Sequence, residues 1–402
     1  NTIATEVEEN ADGTIASLTL NQTAPAEHSV LRPHRLAVGF YDEDPATGKI
    51  VRTDRFELDV DGESTVVAAA AGKKRPAFIL VNDDDLTYTK LRFDADSLSF
   101  ALANLQRFDD ALARAVVWLS LWDMTRDGDL AAEKFIDTTL ALLATETEST
   151  TFRYALSCMS TTAWHYTAPD RRADVVKHIA KELWKLVIAA PGGSDQQFQL
   201  VTAYLGYGEE GDAEFAEHAQ GLFDGSLIVA GLEIDNNFTW TIINALSSVK
   251  LIDQAGIDAQ LAKRDTTENR EFALGAHAVR GDAAAKEWAW NEALNNADLT
   301  NMQLEAVARG FGATPRPDLA EPYAAKYYDV VDWVWKNKSF HMAEALLEGL
   351  YPYYADPATL VELGHRWLAD HEDADNALKR IVRGNVESSQ RTLKVRDFNA
   401  AL

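Results

Sequence analysis

Between Asp109 and Met124 the chain reads "DDALARAVVWLSLWDM", and its apolar residues recur with the period of a helix. Leu112, Ala115, Val116, Leu119 and Trp122 fall on one face, behind Asp109 or Asp110 as the N-cap. From Asp94 to the C-terminus that period persists, giving about fifteen short amphipathic helices with no strand between them. "APGGSDQQFQL", Ala190–Leu200, shows how they join: a Pro-Gly-Gly turn stops one helix, and Ser194 with Gln197 at capping-box spacing starts the next. So long a run of helices predicts an all-α superhelical solenoid of irregular HEAT or armadillo type rather than a compact bundle.

Towards the N-terminus the period is two. Ala16, Leu18 and Leu20 alternate, as do Leu36, Val38 and Phe40, and then Phe56, Leu58 and Val60, with turn sequences such as "DEDPATGK" and "DGES" between them. "AFILV", Ala77–Val81, is a continuous apolar run of the kind a central strand carries. Six or seven such strands predict a small antiparallel β-sandwich. The expected organisation is therefore a multidomain chain, with a β-sandwich over residues 1–94 and an α-helical solenoid over 95–402.

The balance of 38 basic against 63 acidic residues, a net charge of −25, argues against nucleic acid and membrane surfaces as partners. Such a surface favours solubility and tolerates cationic ligands such as peptide amino termini. The single cysteine, Cys158, cannot form an internal disulfide, which fits a cytoplasmic location. No apolar run reaches the roughly 18 residues of a membrane span. The start, "NTIATEVEEN", has no initiator methionine and no leader pattern, and reads as a cut.

Catalytic motifs are scarce. "HEDAD", His371–Asp375, is one residue away from H-E-x-x-H, in which two histidines one helical turn apart share a zinc ion. Here the second ligand is Asp375, the position nineteen residues on is the cation Lys394, and His365 is rotated by roughly 120° from His371 on a helix. The expectation is a solvated helix start with Asp370 or Asp373 near the cap. Cys158 and His165 stand about 10 Å apart along a helix, too far for a nucleophile and its base. The carboxylates of "NDDDLTY", Asn82–Tyr88, read as a turn facing water, although a hydrolase using Asp83 or Asp85 is an alternative. Trp288, Trp290, Trp333 and Trp335 read as helical core rather than a ligand platform.

Five segments together resemble one family. "LRPHRLAVGFYDEDPATGKIVRTDRFELDVDGE" (Leu31–Glu63) and "FILVNDDDLTYTKLRFD" (Phe78–Asp94) resemble the β-sandwich domain of zinc aminopeptidases of the M1 family, the aminopeptidase N type of actinobacteria. "LARAVVWLSLWDMTRDGDL" (Leu112–Leu130) resembles the opening of that family's C-terminal helical domain, with Arg114, Asp123 and Gly128 matching its Arg, Asp and Gly pattern. "AAKEWAWNEALNNADLTNMQLEAVARGF" (Ala284–Phe311) and "LAEPYAAKYYDVVDWVWKNKSFHMAEALLEGLYP" (Leu319–Pro352) follow in the family's order, while Lys90 stands where many members have arginine.

The resemblance implies that this chain is the non-catalytic C-terminal half of such an enzyme, inactive alone. The zinc would belong to a separate catalytic domain carrying G-x-M-E-N and H-E-x-x-H. The implied partners are that catalytic domain and peptide substrates, which the helical domain would enclose in a bowl while the whole enzyme removes N-terminal residues. Arg114, Asp123 and Arg126 are the expected interdomain or peptide-facing residues, with surface charges or internal ion pairs as the other reading. A free-standing solenoid scaffold that binds a protein partner is the alternative function.

Overall fold

A computed structural model describes all of residues 1–402. The chain divides into two compact units, Asn1–Thr162 with the last two residues, and Ala163–Ala400. The change from strands to helices comes earlier, at Ala95.

In the first unit, seven strands form two sheets: β1 (Thr2–Glu9), β2 (Ile15–Thr23), β3 (His34–Glu43), β4 (Ile50–Val60), β5 (Ser64–Val66), β6 (Phe78–Asp83) and β7 (Lys90–Arg92). One sheet has the order β5-β2-β1-β7 and the other β4-β3-β6. The alternating residues Leu18 and Leu20 on β2, and Leu36, Val38 and Phe40 on β3, are all buried. His34 on β3 meets Gln22 on β2 at 3.0 Å and ties the two sheets together. Two features depart from the sequence reading. The pairing of β1 with β7 is parallel, so the sheets are not purely antiparallel. The apolar run "FILV" lies in β6, at the edge of its sheet rather than its centre. Every residue of β6 is nonetheless buried, because helix α1 (Ala95–Asn104) covers that edge and Ser97 Oγ accepts the Ile79 amide at 3.2 Å. A helix in place of a further strand removes the exposed pairing edge.

Helices α2 (Ala111–Asp127), α3 (Ala132–Leu143) and α4 (Ser149–Thr161) complete this unit. Asp110 is the N-cap of α2, accepting the Ala113 amide at 2.8 Å, and Gly128 at φ +73° ends it. The expected apolar stripe of α2 is only partly its core face. Val116 and Trp122 are buried, but Leu112 and Leu119 are exposed, and the buried set extends to Ala113, Arg114, Val117, Trp118, Ser120, Leu121, Met124 and Thr125. The helix packs against β6 and β7 and against α3, so most of its circumference is covered.

The second unit opens within a π-helical turn, Thr162–Tyr166. Its helices are α5 (Arg172–Ala189), α6 (Asp195–Leu205), α7 (Ala213–Asp224), α8 (Asn236–Ser248), α9 (Gln254–Lys263), α10 (Thr267–Val279), α11 (Ala283–Asn295) and α12 (Asn301–Gly312). After these come the single turn α13 (Pro317–Ala320), then α14 (Ala324–Asn337), α15 (Phe340–Gly349), α16 (Pro357–Asp370) and α17 (Asn376–Ala400). Helices α8, α10, α12, α15 and α17 pack one on the next, with α9, α11, α14 and α16 paired alongside them. This is the neighbour-on-neighbour packing of helical repeats. At Gly310 a Cβ would stand 2.6 Å from the Gly275 carbonyl, so the close crossing of α10 and α12 requires glycine there.

Aromatic residues fill the core, among them Trp290, Phe311 and Tyr323, whose rings lie about 5–6 Å apart. Trp288 and Trp335 pack against this core, and Trp333 is half-exposed with Lys338 over its ring at 5.7 Å. A polar network runs through it: Tyr327 Oη donates to the Leu347 carbonyl at 2.8 Å, and Asn385 Nδ2 on α17 donates to Tyr327 Oη at 3.0 Å.

Candidate functional site

The three residues singled out on α2 have different surroundings. Arg114 is buried. Its Nε and Nη2 donate to the two carboxylate oxygens of Glu146 at 2.8 and 2.9 Å, and Nη1 donates to the Phe108 carbonyl at 2.7 Å. Burial opposes the ionisation of Glu146, but this guanidinium and the amides of Glu148 and Thr147 hold its carboxyl below the usual range. Arg114 is therefore an internal ion pair that fixes the loop before α4.

Asp123 lies one turn before the helix end. Burial raises its carboxyl pKa against the pull of Lys90, and Asp127 adds to the rise. Arg126 stands over the Trp122 ring at 5.6 Å. On the same helix Leu112 and Leu119 are exposed, and the half-exposed Tyr154 of α4 meets the Trp118 ring edge-on at 5.7 Å, leaving apolar surface on α2 and α4. Lys90, the departure from the family pattern, donates to both oxygens of Asp127 at 2.8 and 2.6 Å, and Arg92 adds a bond of 2.6 Å. Strand β7 is thus clamped to the C-terminal turn of α2, and lysine serves that purpose.

The carboxylates after Val81 are a solvated turn only in part: Asp84 and Asp85 form the turn and Asp85 faces water, whereas Asp83 lies inside. Asp83 is buried, accepts Tyr41 Oη at 2.6 Å and pairs with Arg52 at 2.8 Å. Asp84 pairs with Arg52 and Arg55, and Asp85 accepts from Asn82 Nδ2. Gly39 is required here, since a Cβ would stand 2.5 Å from Asp83 Oδ2. The backbone turns through left-handed conformations at Asn82, Asp84 and Asp85, which the Asn82 side chain holds by hydrogen bonds to both the amide and the carbonyl of Thr87. Each carboxylate is committed to a structural partner, which argues against an acid/base role.

"HEDAD" is likewise committed, and it does not lie within one helix. His371 caps the end of α16: its Nδ1 contacts the Trp367 carbonyl at 2.8 Å and its Nε2 contacts Asp332 at 2.9 Å, with its ring stacked on Trp367. Asp375 accepts the Ala377 amide at 2.7 Å, so the cap of α17 falls there rather than at Asp370 or Asp373. His365 contacts Gln390. With both ring nitrogens of His371 engaged and Asp375 capping a helix, these residues do not fit a zinc ion. No group of three or more metal-ligating side chains gathers elsewhere. Cys158 is buried, and burial pushes its thiol up to about 12, which removes it as a nucleophile. No helix is long and apolar enough to cross a membrane.

Two buried cations escaped the sequence reading. Lys286 on α11 sends its ammonium to the carbonyls of Ala278, Gly310 and Phe311 at 2.7, 3.2 and 3.2 Å, and to Thr314 Oγ1, joining the C-terminal ends of α10 and α12. Arg172 opens α5 and is buried too. Nothing in "AAKEW" or "PDRRAD" distinguishes such residues from surface charges.

The family profile described as the ERAP1-like C-terminal domain matches residues 78–391. An Aminopeptidase N of Streptomyces lividans is 34% identical over 407 residues, a match that takes in the whole of this chain and 47% of that relative. The chain thus spans about half the length of the curated relative it matches. With most of its residues inside the profile, and with the M1 segments in the order read from the sequence, the chain belongs to the ERAP1-like C-terminal domain family of M1 aminopeptidases.

Proposed function

We propose that this chain is the non-catalytic C-terminal region of an M1 aminopeptidase, with a β domain over residues 1–94 and a helical domain over 95–402. It covers a zinc-bearing catalytic region and helps to enclose and hold peptides whose N-terminal residues the whole enzyme removes in the cytoplasm. The observation that carries this reading is the end-to-end similarity to an Aminopeptidase N about twice its length. The commitment of His371 and Asp375 to helix ends supports placing the zinc outside this chain. The side of α2 that carries the exposed Leu112 and Leu119 and the partly buried Asp123 and Arg126 is the proposed contact with the catalytic region, and the Arg114 pair behind it holds that helix in place.

The test is reconstitution. This chain is mixed with the catalytic half of its parent, association is followed by sedimentation velocity, and cleavage of amino-acid p-nitroanilides and of short peptides is measured. Association with a gain in peptide cleavage is expected, weakened at least tenfold by Leu119→Asp with Arg126→Glu. Two halves that sediment independently would overturn the reading in favour of a free-standing scaffold.

A further inference from the structure

The last helix inverts the charge of the chain. Against a net charge of −25, α17 carries Lys379, Arg380, Arg383, Arg391, Lys394 and Arg396, opposed only by Glu387 and Asp397. Two of these cations are tied to backbone: Lys379 donates to the Glu372 carbonyl at 2.7 Å, and Arg396 to the His165 carbonyl at 2.7 Å. The other four, Arg380, Arg383, Arg391 and Lys394, are spaced so that the helical period sets them in one stripe. The opposite side, with Leu378, Ile381, Val382, Asn385, Val386 and Ser389, is buried where α17 packs on α15 and α16.

The stripe faces solvent almost without partners. Arg383 and Lys394 are exposed and Arg391 is half-buried, and none of the three meets a carboxylate of the chain. Arg380 is 73% exposed and only approaches Glu344, at 3.7 Å. Compensation of the helix dipole does not account for these cations, because it acts within the final turn, and that turn holds no basic residue. Solubility does not account for them either, since the acidic excess already supplies it. Along the axis the four form two pairs, Arg380 with Arg383 and Arg391 with Lys394, whose centres stand about 16 Å apart. Glu387 lies midway, one turn from Arg383 and one from Arg391. An extended polypeptide covers the same ~16 Å in about five residues.

We infer that this face of α17 docks an extended acidic peptide segment, in which two acidic pairs flank about three residues and the central one is basic or uncharged opposite Glu387. Three of the four cations are arginines, whose planar guanidinium takes a carboxylate by two parallel hydrogen bonds. A nucleic acid strand or an anionic membrane sets negative charge along the whole stripe, Glu387 included. Each also extends past the stripe over a chain whose net charge is −25. A short peptide can interrupt its charge where Glu387 stands, and it need not reach beyond the four cations. The inference concerns this chain alone and stands or falls independently of any association with a catalytic half.

The experiment is fluorescence anisotropy of the dye-labelled peptide amide EEGKGEE, titrated with the 402-residue chain in about 20 mM sodium chloride. Saturable binding is expected, about tenfold tighter than that of the rearranged peptide GKGEEEE and weakened about tenfold by 200 mM salt. Arg383→Gln with Arg391→Gln changes only the outward side of the helix and is expected to weaken binding about tenfold. Glu387→Gln is expected to erase the advantage of EEGKGEE over EEGSGEE, a comparison that a merely basic surface would not move. No saturable binding, equal affinity for the two arrangements of charge, or unchanged binding in the double variant would overturn the inference. So would tighter binding of a deoxythymidine heptanucleotide or of phosphatidylserine vesicles, since the surface would then serve a continuous polyanion. The two peptide comparisons use the unaltered chain, so they decide the matter even if a variant folds poorly.

Discussion

Replacing Arg114 by methionine removes three charge-assisted hydrogen bonds at once, two to Glu146 and one to the Phe108 carbonyl. Methionine keeps the length of the aliphatic stem, so the loss is chiefly electrostatic. The Glu146 side chain is 1% exposed, and without the guanidinium its charge is held only by the amides of Thr147 and Glu148 and its remaining neighbours. Breaking a buried pair from one side costs about 3–5 kcal/mol, because the surviving charge stays desolvated. For the first unit, Asn1–Thr162, that lowers the unfolding midpoint by roughly 10 °C. The pH dependence should change as well. With Arg114 present, the Glu146 pKa is lower in the folded than in the unfolded state, so its contribution is in place above the unfolded value near 4.5 and is lost as pH falls through the folded one. In Arg114→Met, burial is no longer opposed by the guanidinium, the folded pKa rises, and the variant loses less stability than the parent on going from pH 7 to pH 4. Chemical denaturation at the two pH values measures this, and the double variant Arg114→Met, Glu146→Leu closes the cycle. The double variant should recover to within about 2 kcal/mol of the parent or exceed it. A single variant within 1 kcal/mol of the parent at pH 7 would refute the argument.

The remaining expectations concern other buried groups. The His165 pKa falls from 6.5 to about 4 on folding, so its contribution is complete above pH 6.5 and is lost as pH drops through 4. That difference is worth about 3 kcal/mol, and His165→Gln should flatten the acid limb of a stability–pH curve for the second unit by that amount. Lys286 falls from 10.5 to about 7, so the unfolded chain holds its proton to higher pH and stability rises from pH 7 towards pH 10. Between pH 7 and pH 9 that rise is about 2 kcal/mol by denaturant titration, and it should vanish in Lys286→Met. Cys158, with its thiol pushed up to about 12, should react with a disulfide reagent at pH 8 only after denaturant is added, and prompt labelling of the folded chain would contradict its burial.

Periodicity located the strands and helices wherever one side faces water and the other the core. On β4, Phe56, Leu58 and Val60 are more buried than Glu57 and Asp59 between them, as their alternation indicated. It failed where an element is covered on more than one side. Nearly all of β3 is buried, including Ala37, Gly39 and Tyr41, so the alternation of Leu36, Val38 and Phe40 understated its contacts. On α2 the two exposed leucines were assigned to the core because packing on several sides erases the contrast that defines a face. The placement of β6 at a sheet edge was hidden for a related reason: its residues record burial, and burial by α1 reads the same as burial by strands. Of the candidate site, the resemblance supplied the family and α2, but not which charges of α2 are inward. Arg114 in "LARAVV" and Arg126 in "MTRDGD" look alike in sequence, whereas one is locked to Glu146 and the other lies over Trp122.

The buried cations also bear on the meaning of the net charge. A chain with a charge of −25 has carboxylates in excess, and simple neutralisation would give every arginine and lysine an acid. The interior does not follow that rule. Arg114 is matched by a carboxylate, Lys286 by helix-end carbonyls and a hydroxyl, and the Nε and Nη2 of Arg172 by no side chain, although Glu209 is within electrostatic reach of Arg172 and Asp356 of the neighbouring Arg396. Global charge acts through solvent and is screened over about 10 Å, whereas pairing inside the protein is decided by which oxygens the backbone carries to within 3 Å. Helix ends deliver carbonyls wherever helices stop, which is how Lys286 is satisfied without an acid. Asp356 is already used by α16, and the acid surplus on the surface cannot reach Arg172.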